Sequence, residues 1–244
     1  HSHIAKITGT AVIVGERNAA FELESPEVDR VLDLDPDVVF LCSPNNPTGV
    51  IEPAALVAHV ADRASEQGAL VIVDEAYGQF APWSALELVD DERPVVVSRT
   101  FSKTWSMAAA RLGYLIGPSW VVEALEGVVL PYHLDAAKQI AGRLALQYED
   151  DMRARVDQLI SERQRVADAL AHLPVDHWES GANFILFRPR GATGDEVWQA
   201  LLDRDVLVRN CASWPRLTNC LRVTIGTREE NDAFLAALTE ILGS

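Results

Sequence analysis

Four apolar runs in the first half of the chain constrain its fold more than any other feature. They are "DVVFLCS" (37–43), "ALVIVDEAY" (69–77), "PVVVSRT" (94–100) and "RLGYLIG" (111–117). Hydrophobic residues follow one another in these runs and do not alternate with polar ones, which is typical of strands buried on both faces of a sheet. We therefore expect an α/β fold in which helices cover a mostly parallel sheet.

The segments between these runs predict how the strands are connected. "EPAALVAHVADRASEQG" places Leu56, Val57 and Val60 on one face of a helix, with Pro53 in its first turn and Gly68 at its end. Such a helix is long enough to return the chain to a parallel strand. The third and fourth runs are joined by a linkage too short for a helical crossover, so we expect a mixed sheet.

The pattern changes after residue 130. Residues 131–173 are charged and helical in period, which predicts two helices or one bent helix. Strand and helix patterns then alternate, which indicates a smaller α+β unit. We expect a large domain over residues 1–131 and a small carboxy-terminal domain over residues 132–244. The later elements are expected to be strands at "ANFILFRP" (182–189), "VLVRN" (206–210) and "CLRVTIG" (220–226), and helices at "GDEVWQALLDRD" (194–205) and "REENDAFLAALTEIL" (228–242).

Composition argues against several classes of protein. The chain has 244 residues, 48% of them hydrophobic, and a formal net charge of −15. This charge repels phosphate backbones and anionic membrane surfaces, which argues against a nucleic-acid partner. No apolar run reaches the length that a membrane helix needs, so we expect no membrane partner either.

Cysteine and histidine usage argues against disulfides and metal sites. The three cysteines, Cys42, Cys211 and Cys220, are odd in number and form no C-x-x-C pair, which fits a reducing cytoplasm. His1 and His3 form a His-x-His pair, which we interpret as an exposed chain end. We therefore expect a cytoplasmic protein without a metal site.

Polar side chains follow the ends of the predicted strands. Asn46 follows the first, Asp74 and Tyr77 close the second, and Ser102 and Lys103 follow the third. Ligands of such sheets bind outside the carboxyl ends of parallel strands. Pyridoxal 5′-phosphate would suit all of these groups, because its aldehyde forms an imine with a lysine and its protonated ring nitrogen pairs with a carboxylate. Its phosphate binds hydroxyls and arginine.

Each of these residues also has an ordinary structural explanation. Lys103 could be a solvated loop charge, and Asp74 could cap a helix. Arg111 stands next to small residues, where it could bind a phosphate or form a surface ion pair. Arg209 and Arg222 lie on predicted strands and could face outward. The sequence alone leaves these alternatives open.

Four motifs occur in the order and spacing of one enzyme family. "SPNNPTG", "VDEAY", "SRTFSK" and "RLGY" together resemble the fold-type I pyridoxal-phosphate-dependent aminotransferases. The resemblance extends over essentially all 244 residues, including "LPYHL", "SGANFILFR" and "CLRVTIGTREENDAFLAAL". It implies a large domain with a mixed, mostly parallel sheet, a smaller α+β domain and a homodimer.

The resemblance also implies roles at the cofactor. Lys103 would hold the cofactor covalently and move a proton at the substrate α-carbon. Asp74 would pair with the ring nitrogen, while Tyr77 and Asn46 would hydrogen-bond the phenolic oxygen. Thr100, Ser102 and Arg111 would bind the cofactor phosphate.

For the substrate, the resemblance implies that Arg209 and Arg222 grip an anionic group. The implied reaction transfers an amino group between histidinol phosphate and a 2-oxo acid acceptor, 2-oxoglutarate, in histidine biosynthesis. Alternatives are a threonine-phosphate decarboxylase-like reaction and an aromatic amino acid aminotransferase. Family members carry a further amino-terminal segment without a counterpart here, so we expect an incomplete large domain, and a truncated non-catalytic remnant is another alternative.

Overall fold

The computed structural model describes residues 2–243. They group into two compact units, one formed by residues 2–43 and 52–148 and the other by residues 44–51 and 149–243. The domain boundary between residues 131 and 132 stays a prediction. His1 and the side chain of His3 lie outside the described residues, and so does the interpretation of that pair.

The first unit is built on a four-stranded sheet with the order β1-β2-β3-β4. The sheet consists of β1 (Val38–Cys42), β2 (Leu70–Asp74), β3 (Val95–Thr100) and β4 (Gly113–Ile116). The first three strands are parallel and β4 is antiparallel to β3. The predicted mixed, mostly parallel sheet is confirmed. The helices of this unit are α1 (Ser2–Ile7), α2 (Ser25–Leu32), α3 (Ala54–Gln67), α4 (Ser119–Val128) and α5 (Ala136–Ala145).

Helix α3 covers one face of this sheet. Leu56, Val57 and Val60 are buried on its inner side in one hydrophobic cluster with Val71 of β2. Burial of such a side chain contributes about 1.5–3 kcal/mol. The helix ends at Gly68, whose φ of 70° is in the left-handed region that favours glycine. The predicted helix and its inner face are therefore confirmed.

The second unit has a four-stranded sheet of a different kind. Its order is β5-β6-β8-β7 and every pair is antiparallel. Helix α8 matches the predicted closing helix residue for residue, and α7 begins at the predicted position. The elements are α6 (Glu149–Leu170), β5 (Val175–His177), β6 (Phe184–Pro189), α7 (Gly194–Leu202), β7 (Arg209–Asn210), β8 (Leu221–Thr224) and α8 (Arg228–Leu242).

One predicted strand is shorter than its sequence pattern indicates. The run 206–210 was expected to be a strand throughout, but only its last two residues form β7. The Val206 N–H donates to the Leu201 carbonyl at 3.0 Å, and the Val208 carbonyl accepts from Trp198 Nε1 at 3.0 Å. The backbone of this segment is therefore bonded to α7, which removes it from the strand ladder.

The charged stretch after residue 130 forms two helices, which confirms the first of the two predicted arrangements. A short 3₁₀ turn, Leu146–Tyr148, separates α5 from α6. Acidic residues occupy the first turn of α6, where the helix dipole favours negative charge. None of the helices within residues 2–243 is long and apolar enough to cross a bilayer.

Candidate active site

Asp74 closes β2 at the carboxyl edge of the parallel strands. Its Cα is in register with Cys42 of β1 and with Ser98 of β3. Its Oδ1 accepts a hydrogen bond from the Ala76 N–H at 3.0 Å, which fixes the carboxylate at the start of a tight turn. The 3₁₀ turn that follows has Tyr77 at its N-cap position. Asp74 is therefore not the cap of a helix.

Lys103 lies on the turn that follows β3. Its Nζ is 5.0 Å from the centroid of the Tyr77 ring, close enough for a cation–π attraction. Tyr77 is buried, whereas Lys103 is exposed. The amine is therefore held beside an aromatic ring in a position that a small aldehyde can reach.

Two hydroxyl groups lie at the end of β3 and the start of this turn. The Thr100 and Ser102 hydroxyls are 2.9 Å apart, and the Ser102 N–H donates to Thr100 Oγ1 at 3.0 Å. Thr100 Oγ1 also lies 3.3 Å from the Leu112 carbonyl. Hydroxyls and backbone N–H groups clustered in a turn can bind the oxygens of a phosphate.

Arg111 adds a cation after the short 3₁₀ turn Ala108–Ala110. It is exposed, and its Nη1 donates to the Ala108 carbonyl at 3.2 Å. Its φ of 52° is in the left-handed region, which is uncommon for a residue with a Cβ. Such strained residues cluster at functional sites, so this conformation supports a hypothesis of function.

A buried ion pair that the sequence analysis did not single out lies beside Asp74. Glu75 is only 3% exposed, and its Oε2 accepts from Arg99 Nη2 at 2.8 Å and from Arg99 Nε at 3.1 Å. The Ser84 hydroxyl donates to Oε2 at 2.8 Å, and the Ala85 N–H donates to Oε1 at 2.6 Å. Glu75 is on the buried face of its strand, but the apolar runs show no alternation in sequence, so only the β2–β3 register reveals its pairing with Arg99.

In the second unit, Arg222 of β8 contacts Asn46. Its Nη1 donates a short hydrogen bond to the Asn46 Oδ1 atom. The guanidinium carbon also lies 4.6 Å from the centroid of the Phe184 ring.

Arg209 of β7 is directly opposite Arg222 in the antiparallel register. Directly opposed residues have side chains on the same face of the sheet, and like charges in such a pair are destabilising. Cys211 and Cys220 flank this pair and are fully buried. Burial raises the pKa of both thiols, that of Cys220 to about 11, so they are unreactive thiols at neutral pH.

The predicted site residues divide between the two units. No group of three His, Cys, Asp or Glu side chains within residues 2–243 is arranged to hold a metal ion. The first unit carries Asp74, Tyr77, Thr100, Ser102, Lys103 and Arg111, and the second carries Asn46, Arg209 and Arg222.

The donor set of the first unit fits pyridoxal phosphate. It offers an exposed amine for an aldehyde, a carboxylate for a ring nitrogen, a phenol, and a cluster of hydroxyls with an N–H for a phosphate. The phenol and the amine of this set are neighbours, because the amine of Lys103 lies over the ring of Tyr77. The chemistry of the residues therefore agrees with the cofactor that the sequence predicts.

Comparison with known proteins assigns the chain to an enzyme family. Residues 1–238 match the family described as Aminotransferase class I and II. The chain belongs to this family, and the fold-type I architecture predicted from its motifs is confirmed. The family implies pyridoxal phosphate as cofactor.

Three individual proteins illustrate how similar the chain is to known aminotransferases. Histidinol-phosphate aminotransferase of Streptomyces avermitilis is 42% identical over 244 residues, which are 99% of this chain and 65% of the relative. The chain thus spans slightly less than two thirds of the length of that enzyme. The solved histidinol-phosphate aminotransferase of Clostridium acetobutylicum has a TM-score of 0.92 at 23% identity, covering 99% of this chain and 74% of that one. That of Sinorhizobium meliloti, solved in complex with pyridoxal-5′-phosphate, has a TM-score of 0.83 at 24% identity, with 99% and 67% covered.

Proposed function

We propose pyridoxal-phosphate-dependent transamination of histidinol phosphate with 2-oxoglutarate as the function of the protein to which this chain belongs. The observation that carries the proposal is the amine of Lys103 over the Tyr77 ring, at the edge of the sheet where Asp74 ends β2. The 42% identity to a histidinol-phosphate aminotransferase supports this substrate over the alternatives.

In this proposal three residues of the first unit act on the reacting part of the cofactor and substrate. Bound pyridoxal phosphate supplies an electron sink for the substrate α-carbon. The Asp74 carboxylate would hold a proton on the ring nitrogen, and the Tyr77 hydroxyl would donate to the phenolic oxygen. The Lys103 amine would hold the cofactor and would carry a proton between the substrate α-carbon and the cofactor carbon that bears the transferred nitrogen.

The phosphate of the cofactor would bind at the turn after β3. The Thr100 and Ser102 hydroxyls are already within 2.9 Å of each other, so their positions are set before a phosphate arrives. Arg111 would balance the phosphate charge with its guanidinium. A site with fixed donors loses less side-chain entropy on binding.

The arginines of the second unit would orient the substrate through its anionic group. Arg209 and Arg222 place two guanidinium groups on one face of a sheet, where a phosphate or carboxylate relieves their mutual repulsion. The Asn46 amide accepts from Arg222, and the motif resemblance implies that Asn46 would also hydrogen-bond the phenolic oxygen of the cofactor. We also propose that the protein is a homodimer, as the motif resemblance implies, and that it is cytoplasmic, which its cysteine usage fits.

The test is to supply the 244-residue chain with pyridoxal phosphate, histidinol phosphate and 2-oxoglutarate and to measure glutamate. Glutamate formation that is lost in Lys103→Ala supports the proposal. Release of carbon dioxide from threonine phosphate would favour the decarboxylase alternative, and turnover of phenylalanine but not histidinol phosphate would favour the aromatic one. Cofactor binding without any of these reactions would contradict the proposal for this chain and favour the alternative of a non-catalytic remnant.

A further inference from the structure

Glu75 and Arg99 join the two backbone segments that carry the proposed catalytic residues. Glu75 directly follows Asp74, and Arg99 lies near the end of β3, four residues before Lys103. The Glu75 N–H donates to the Ser98 carbonyl at 2.9 Å, which continues the β2–β3 ladder beyond the end of β2. The ion pair therefore links β2 and β3 at the edge of the sheet where the cofactor would bind.

The Glu75 carboxylate is closed to any ligand. Both of its oxygens already accept hydrogen bonds from protein donors, supplied by Arg99, Ser84 and the Ala85 N–H. Ser84 is also bonded to the arginine, since Arg99 Nη2 donates to its hydroxyl at 2.8 Å. Because the Glu75 carboxylate is enclosed by these donors, it can affect the site only through the residues that it holds in place.

The turn that carries Tyr77 packs directly on Glu75. A Cβ added to Gly78 would lie 2.6 Å from Glu75 Oε2 and 2.7 Å from Glu75 Cβ. The residue after Tyr77 therefore packs against the Glu75 side chain. Movement of Glu75 would displace Asp74 and Tyr77, two residues proposed to contact the cofactor, together.

A buried ion pair of this kind is weak evidence for stability, because desolvation of the two charges offsets much of their attraction. Its hydrogen bonds do fix geometry, since two N–H groups of Arg99 donate to the one oxygen Oε2 in charge-assisted bonds. We infer that Glu75, with Arg99, is a positioning residue that sets Asp74 and Tyr77 relative to the turn of Lys103. This inference rests on the proposed function.

The experiment compares cofactor binding by the wild-type chain, Glu75→Gln and a matched control. Glu52→Gln is that control, because Glu52 is also fully buried in the first unit and also pairs with one arginine, Arg17. Pyridoxal phosphate is titrated at a temperature where circular dichroism finds all variants folded. We expect Glu75→Gln to raise the Kd of the cofactor about tenfold or more, because small misplacements of reacting groups are costly. We expect Glu52→Gln to leave that Kd within about twofold of wild type.

A second readout separates positioning from general loss of stability. The pH midpoint of the bound cofactor's visible absorption should shift in Glu75→Gln and stay in place in Glu52→Gln. If Glu75→Gln does not fold, Ser84→Ala and Arg99→Lys serve instead, since each keeps the carboxylate and removes only part of its hydrogen bonding. Either should raise the Kd by a factor of about two to ten.

Two results would overturn the inference, and they are distinguishable. A folded Glu75→Gln chain with wild-type Kd and wild-type pH midpoint refutes the positioning role while the proposed function stands. A folded wild-type chain that shows no covalent cofactor adduct refutes the proposed function and this inference with it.

Discussion

Arg209 and Arg222 are directly opposite one another on neighbouring antiparallel strands. Two like charges in this arrangement destabilise the sheet by about 0.2–1 kcal/mol unless an anion lies between them. Arg209→Gln should therefore raise the free energy of unfolding in an anion-free buffer, as measured by urea denaturation. Inorganic phosphate should stabilise the wild-type chain more than this variant.

Arg204→Gln is the matched control for that measurement. Arg204 is on the same unit but pairs with Glu240 at 2.8 Å, so its replacement should lower stability or leave it unchanged. If Arg209→Gln is less stable than wild type and responds equally to phosphate, the two arginines do not form an anion site.

Glu162 gives a pH-dependent prediction. Hydrogen bonds from Arg165 and Asn231 lower the pKa of its carboxyl to about 2, against an ordinary value of 4.5. A carboxyl whose pKa is lower in the folded than in the unfolded chain stabilises the fold at pH values above its unfolded pKa. This stabilisation is lost as the pH falls through the folded pKa. Glu162→Gln should therefore melt below wild type at neutral pH, and the difference should shrink between pH of about 4.5 and about 2.

The control for this series is Glu126→Gln on the exposed surface of α4. It should leave the melting temperature close to wild type across the same pH range. A Glu162→Gln difference that is constant with pH would mean that side-chain packing, and not charge, accounts for its effect.

Gly78 and Gly127 are predicted to respond to alanine in opposite directions. A Cβ at Gly78 meets the Glu75 side chain at 2.6 Å, so Gly78→Ala should cost about 1–3 kcal/mol. A Cβ at Gly127 in α4 meets nothing within 4 Å, so Gly127→Ala should stabilise by about 0.5–1 kcal/mol. Thermal unfolding of both variants checks the prediction, and equal effects would contradict the packing of Gly78 on Glu75.

The sequence predicted the elements whose patterns are local. The apolar runs mark β1 to β4, and the short linkage before β4 predicts its antiparallel direction. Helix α3 was placed correctly because Leu56, Val57 and Val60 repeat with helical period and Gly68 stops the helix. These signals need no knowledge of distant residues.

Tertiary contacts explain the features of the fold and the site that the sequence alone does not predict. Residues 206–208 have strand-like composition, but Trp198 and Leu201 bond their backbone groups. Glu75 and Arg99 are far apart in sequence, and only the β2–β3 register brings them together. The motif resemblance named the residues that are proposed to contact the cofactor, whereas the ion pair proposed to position them required a structure.

The central claim is that Lys103 is the residue that holds the cofactor, and its most direct test is reductive trapping. The chain has three lysines, Lys6, Lys103 and Lys138, so the other two are internal controls. The chain is incubated with pyridoxal phosphate, reduced with borohydride, digested and analysed by mass spectrometry. The account predicts the cofactor on the peptide of Lys103 and its loss in Lys103→Ala. Modification of Lys6 or Lys138 to the same extent, or of no lysine, would contradict it.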